Sequence, residues 1–240
     1  MDETPQVQSG ISTTAPPEVV EMSAVETLVG VFTNPNATFQ SLAARPRILA
    51  PMLILVVVQI ALGIVLVQSG VIMNDAIARL EAQGKPQEAI EAVQKVFESP
   101  ARYIFGVVGP VVGLAFSFLV GGGLLYFMAN LMLGAKLRFL HYLSVAAYGG
   151  LVAIIDQAAR TALGVTRGTL LVHLGVGAFL GDPLSLPLRM LDAATDPLLL
   201  WAVAIQALGV SVMAKKGFGF GVIAVIPSII LLLLASALQA

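Results

Sequence analysis

Five apolar runs, at about 48–67, 103–133, 140–163, 197–214 and 218–238, decide what this chain can fold into. Each comes close to or exceeds the ~20 residues that carry an α-helix across a bilayer, and none alternates as a half-buried strand does. In hydrocarbon every backbone N–H and C=O must find a partner within the protein, which a helix supplies along its own length. Only 11% of the 240 residues are charged and 58% are hydrophobic, whereas a soluble domain carries about 25% charged residues. The sequence therefore reads as all-α: an integral membrane bundle of five transmembrane helices with interfacial amphipathic helices.

A net charge of −1 gives no strong pull toward nucleic acid, which is excluded as a partner, and leaves the lipid bilayer as the first one. No cysteine is present, so disulfides, thiol catalysis and cysteine metal sites are excluded. Residues 1–19 mix acids, Ser/Thr and a Pro-Pro pair with little periodic apolarity. They read as a disordered tail ahead of one five-span membrane domain over 20–240. The first apolar run begins too far from Met1 to resemble a cleaved signal peptide. Between Val20 and Ala44, apolar residues recur at Val25, Leu28, Val29 and Phe32, then at Phe39 and Leu42. Asn34-Pro35 reads as an N-cap followed by proline at the first helical position, so two short helices lying on the membrane surface are expected.

Basic residues beside a span stay cytoplasmic, and short loops weigh most in that rule. Arg45 and Arg47 precede the first span, Lys136 and Arg138 fill the turn after the second, and Lys215 and Lys216 the turn after the fourth. Five crossings put all three clusters on one side, with the N-terminus cytoplasmic and the C-terminus outside. The connection 74–102 sets Ala89, Ile90, Val93, Val96 and Phe97 on one helical face between Pro86 and Pro100, predicting an amphipathic extramembrane helix. Residues 169–180 are as apolar as a span but short, and read as interfacial or re-entrant. A sixth crossing there is the alternative, and would return the C-terminus inside. Asp196-Pro197 caps the fourth span, with Trp201 as an interfacial anchor near its outer end.

Gly109, Gly113, Ser117 and Gly121 stand at strict four-residue spacing, a stripe that lets another helix approach closely. Gly149 and Gly150, with Ala146 and Ala153, offer a similar face on the third span, and the two faces are expected to pack together. The stripe also suits an oligomer interface, or a hinge near Gly121–Gly123. Polar residues at membrane depth are Gln59, Asn130, Asp156, Gln157, Arg160 and Gln206. An ionisable residue there is costly unless paired. Asp156 and Arg160, four apart, are placed either to neutralise each other or to present a proton or substrate contact to the bundle interior. Gln59 and Gln206 are candidates for hydrogen bonds between helices.

No catalytic, cofactor or metal residue is assigned. His141 and His173 stand in separate elements without a neighbouring ligand pattern, and no H-E-x-x-H, G-x-S-x-G or G-x-x-x-x-G-K-[ST] occurs. The "GGG" at 121–123 and "GFGFG" at 217–221 lack the strand-to-helix setting of a nucleotide loop. Asn36-Ala37-Thr38 matches a glycosylation sequon on the side that the topology makes cytoplasmic.

Four stretches, taken in order, resemble bacterial members of the YIP family: "VFTNPNATFQSLAARPRILAPMLIL", "GPVVGLAFSFLVGGGLLYFMANLMLGAKLRF", "VAAYGGLVAII" and "DPLLLWAVAIQALGVSVMAKKGFGFGVIAV". These are five-span membrane proteins related to the Rab-GTPase-interacting proteins of eukaryotic secretory membranes. The resemblance runs from about Val31 to the C-terminus, and its "NP...TF...RP...P" looks like the family's turn from a surface helix into the first span. It implies a bacterial inner-membrane location, a cytosolic N-terminus and action through binding partners in trafficking or membrane shaping. It carries no catalytic residue. The tail at 1–20 is shorter than the GTPase-facing segments of the eukaryotic relatives, so Rab-type GTPase binding is not expected.

Three functions fit these features. The first is a non-enzymatic membrane protein acting through association, as a homo-oligomer or an accessory subunit of a transport or trafficking complex. The second is a small carrier or channel in which Asp156 and the glycine-rich helices line a path. The third, a membrane-embedded enzyme, requires a cavity that gathers Asp156, Arg160 and His173.

Overall fold

A serine and a glutamate three residues apart start the first helix in the computed structural model, which describes residues 21–180 and 184–238. The Ser23 hydroxyl accepts the Glu26 N–H at 3.2 Å, and the Glu26 carboxylate accepts the Ser23 N–H at 2.6 Å, a reciprocal cap. That bond from the Ser23 backbone holds the Glu26 carboxyl below the usual carboxylate range. The helix so begun is α1 (Ala24–Thr33), and α2 (Pro35–Ala44) follows with Asn34 as its cap and Pro35 in its first turn. Next come α3 (Leu49–Gln68), α4 (Val71–Ala82), α5 (Gln87–Glu98), α6 (Ile104–Met132) and α7 (Phe139–Arg167). The last three are α8 (Leu186–Thr195), α9 (Pro197–Met213) and α10 (Phe218–Leu238). Every regular element among the described residues is helical. The tail expected at 1–19 lies outside those residues.

Among the described residues four helices, α3, α6, α7 and α10, are long and apolar enough to cross a membrane. The expected fifth, α9, has 17 residues and qualifies only jointly with α8, from which it bends by 60°. α7 is the hub, with α3, α6 and α9 packed around it. Its Tyr142, Val145, Tyr148 and Val152 recur every three or four residues and are fully buried.

The expected pairing of the two small-residue faces does not form. Gly149 receives the Gln206 side chain of α9 and Gly150 meets Leu55 of α3, while α6 reaches α7 through Gly122, where a Cβ would lie 2.6 Å from Leu143. Gly122 is one residue past the stripe, a turn of ~100° about the helix axis, and that rotation points the stripe away from α7.

α1 and α2 turn one face to protein, with Val31, Phe39 and Leu42 fully buried in the bundle core. Together they form a helical hairpin wedged against α7 and α9. The Thr27 and Tyr148 hydroxyls bond at 2.8 Å, a His141 ring nitrogen lies 3.2 Å from the Ala43 carbonyl, and Phe39 seats on Gly209. Phe32 at the end of α1 meets Trp201 edge-on at 5.9 Å, so this tryptophan contacts protein as well as facing outward. Small and hydroxyl-bearing residues permit the insertion: Gly30 faces Thr38 so closely that no Cβ would fit.

The connection 74–102 is two helices rather than one. Gly84, at φ +64°, separates α4 from α5, and α5 carries the expected apolar face with Ile90 buried. Residues 169–180 contain only a 3₁₀ turn at Val176–Phe179, so no sixth membrane-crossing helix stands there. Pro110 removes a backbone donor near the start of α6, and a π-helical turn stands there at Ile104–Val108.

A Cβ at Gly209 would sit 2.8 Å from the Phe39 ring. Gly209→Val is therefore expected to unseat α2 and cost roughly 1–3 kcal/mol, read as a lowered midpoint of thermal unfolding in detergent micelles. An unchanged midpoint would mean the hairpin does not pack there.

Candidate functional site

Of the polar residues scattered along the apolar helices, Asp156, Gln157, Arg160 and Gln206 gather at one cavity. α7 ends at Gly168, whose φ of +70° turns the chain back so that the Thr169 N–H bonds the Gly164 carbonyl at 3.1 Å. Residues 169–180, which follow, form a crossing segment held against Arg160 of α7 and Asp192 of α8, and Asp196 comes directly after α8.

Asp196 does two jobs from one fully buried position. One carboxylate oxygen caps α9 by accepting the N–H groups of Leu198 at 2.9 Å and Leu199 at 3.2 Å. The other takes a short charge-assisted bond from the Arg160 guanidinium. The Arg160 Nε lies 3.0 Å from both oxygens of Asp156, and another guanidinium nitrogen donates to the Val172 carbonyl at 2.6 Å. One side chain thus ties α7, the crossing segment and α9 together.

Asp192 of α8 secures the same segment from the other side. It accepts the N–H groups of Gly175 at 3.0 Å and Gly177 at 2.9 Å, and its second oxygen lies 2.8 Å from a ring nitrogen of His173. A Cβ at Gly177 would lie 2.8 Å from that carboxylate, so the close approach requires glycine.

Beside this cluster lies a cavity of about 1040 Å³. Asp156, Gln157, Arg160, His173, Asp192 and Gln206 form its polar end, and Phe116, Val120, Leu171, Leu199 and Leu231 are among its apolar walls. Phe116 is 69% and Leu231 47% exposed, so the cavity opens sideways between α6 and α10. At the basic end Leu125, Ala129, Tyr142, Val145, Val210 and Val225 are buried in a continuous core, and the cavity is blind in that direction.

Asp156 and Arg160 form the ion pair that their spacing predicts. Gln206 joins them at the cavity, whereas Gln59 is buried on α3 and does not line it. Asn130 holds the turn between α6 and α7, donating to the Leu137 carbonyl at 2.7 Å and accepting from Tyr142. Of the stripe, Ser117 and Gly121 reach the cavity wall, and Gly109 and Gly113 do not. His173, without a partner in the sequence reading, is paired with Asp192, which that reading did not single out. Asp196 was visible as a cap alone. Among the described residues no group of three or more His, Asp or Glu side chains is arranged to hold a metal.

Asp196→Ala would uncap α9 and leave Arg160 with one carboxylate. It is expected to cost roughly 2–4 kcal/mol, the loss of a cap and of one hydrogen bond to a charged group. Asp196→Asn keeps the cap and should cost less, and thermal unfolding in micelles distinguishes the two. No loss in Asp196→Ala would overturn the assignment.

No curated protein and no solved structure matches the chain. A family model does, the Yip1 domain, over residues 29–238, a range that takes in every candidate span, the hairpin core, the ion cluster and the cavity. The chain belongs to the Yip1 domain family of membrane proteins.

Proposed function

We propose that this is a non-enzymatic integral membrane protein that acts through association, as an oligomer or an accessory subunit of a transport or trafficking complex, in a bacterial inner membrane. α6 carries the reading. Only 6% of its apolar window is buried within the chain, against 56% for α7, and a Cβ at Gly113 or Gly121 would meet nothing within 4 Å. Small residues that serve no contact inside the subunit leave room for the backbone of a second helix. The groups an enzyme would use favour a structural role, because Arg160 is engaged by Asp156, Asp196 and Val172, and His173 by Asp192. Rab-type GTPase binding forms no part of the proposal. Arg45, Arg47, Lys136, Arg138, Lys215 and Lys216 support a cytoplasmic N-terminus and an external C-terminus.

Because the sequence has no cysteine, single-cysteine variants test both points. In native membranes Gly113→Cys is expected to crosslink to a second copy or to a neighbouring membrane protein. Gly217→Cys, in the turn between α9 and α10, should be shielded from an impermeant maleimide in intact cells. Absence of any crosslink from Gly109→Cys, Gly113→Cys or Ser117→Cys would end the association reading, and labelling of Gly217→Cys would reverse the topology.

The cavity favours a second reading, a small carrier or channel, since Asp156 lines it together with Ser117 and Gly121. That activity would need the packed basic half to open. Liposome flux left unchanged by Asp156→Asn would remove its support.

A further inference from the structure

We infer that the cavity between α6, α7 and α10 binds one zwitterionic phospholipid from the surrounding bilayer, with its head on the Asp156–Arg160 pair and an acyl chain along the apolar wall.

Access comes first. The exposed Phe116 and Leu231 flank a mouth between two apolar spans, so the space adjoining it is hydrocarbon. An empty hollow forfeits the dispersion contacts of its lining, and acyl chains are the apolar matter at hand to restore them. At about 1040 Å³ the cavity stands at the upper end of the roughly 300–1,000 Å³ typical of ligand sites, room for more than a reoriented side chain.

Charge selects the head. The side chains of Arg160 and Asp156 are 31% and 15% exposed, so both can be reached from the cavity although they are paired, whereas Asp196 behind them is fully buried. Around the polar end Asp156, Asp192 and Asp196 stand with Arg160 and Arg189, so both signs are present. An anion would gain Arg160 but face Asp156 beside it, and a simple cation meets the reverse. A head carrying both signs sets its phosphate by the guanidinium and its ammonium by the carboxylate.

The α10 wall supplies an independent observation. Ser228 is among the residues lining the cavity, and its hydroxyl oxygen is buried with no hydrogen-bond partner among the described residues. An unbonded buried hydroxyl is costly, and rotation of the Ser228 side chain toward the cavity would offer it the ester carbonyls between a phospholipid's head and chains as acceptors.

The test uses the full chain in nanodiscs of equal parts phosphatidylethanolamine, phosphatidylcholine and phosphatidylglycerol, with native mass spectrometry reading the lipid that stays bound on release. One phosphatidylethanolamine or phosphatidylcholine per chain is expected, favoured over phosphatidylglycerol by about tenfold, the scale of one hydrogen bond to a charged group. Leu232→Trp, on the cavity wall and outside the α6 stripe, should lower occupancy by about tenfold, with thermal unfolding and the Gly113→Cys crosslink unchanged. Asp156→Asn leaves Arg160 paired with Asp196 and should shift the preference toward phosphatidylglycerol, which simple unfolding would not do. Retained lipid that mirrors the bulk mixture, a wild-type preference for phosphatidylglycerol, or full occupancy in a folded Leu232→Trp would each overturn the proposal. The crosslink reports association separately, so either proposal can fail without the other.

Discussion

A guanidinium at the edge of hydrocarbon has to be neutralised by its own chain, and Arg160 meets that requirement with groups from three different elements. Two of its partners come from outside α7, so the bonds that neutralise the charge also fix the position of the crossing segment and the start of α9. The Asp196 cap adds direction. An aspartate that must accept two amides of α9 and one guanidinium of α7 leaves little freedom in the angle between those helices. The 60° bend between α8 and α9 falls at this residue, where Pro197 begins α9.

Hydrocarbon made the spans legible, because it requires unbroken apolarity for about the thickness of the bilayer. The runs read at 48–67, 103–133 and 218–238 correspond to Leu49–Gln68, Ile104–Met132 and Phe218–Leu238. α7 runs past the expected 163 to Arg167, since Gly168 is the first residue there to leave the helical conformation. Asp156 and Arg160 were legible together because four residues make one turn of helix. The pairs that complete the site were not: 36 residues separate Asp196 from Arg160, and 19 separate Asp192 from His173. Only the folded chain brings such residues together. α4 and α8 escaped for another reason, being short and mixed in composition beside longer apolar runs.

Sequence also cannot say which glycines are used. Where α9 crosses α10, Gly221 leaves no space for a Cβ against the Ala207 carbonyl, and its N–H bonds the Ser211 hydroxyl at 3.1 Å. Gly122, Gly149 and Gly209 likewise admit a neighbour's side chain. These residues do not fall on a four-residue repeat, yet each marks a real approach of two helices. The regular repeat of Gly109, Gly113, Ser117 and Gly121 meets nothing of the sort inside the chain. Regular spacing records a straight face, and a straight face suits a partner helix that is itself continuous. Inside the bundle, the close approaches at Gly122, Gly149, Gly209 and Gly221 follow no such repeat.

The bundle consequently divides into a solid half and a hollow half. At the basic end the α1–α2 hairpin fills the space beside α7 and α9 with Phe39 and Leu42, and Asn130 closes the turn between α6 and α7. At the other end no such hairpin enters. α10 packs on α8, α9 and α6, the last both within Gly109–Tyr126 and at Phe127–Met132, and residues of α6 and α10 share the cavity wall. Polar groups pinned by one another can border a hollow without collapsing into it, because each is held by bonds running away from the cavity: Arg160 to Asp196, Asp192 to Gly175 and Gly177. A bundle held together only by apolar packing would close such a space at little cost. Here closure would require breaking charge-assisted bonds in a low-dielectric setting, so the hollow persists as a feature of the fold.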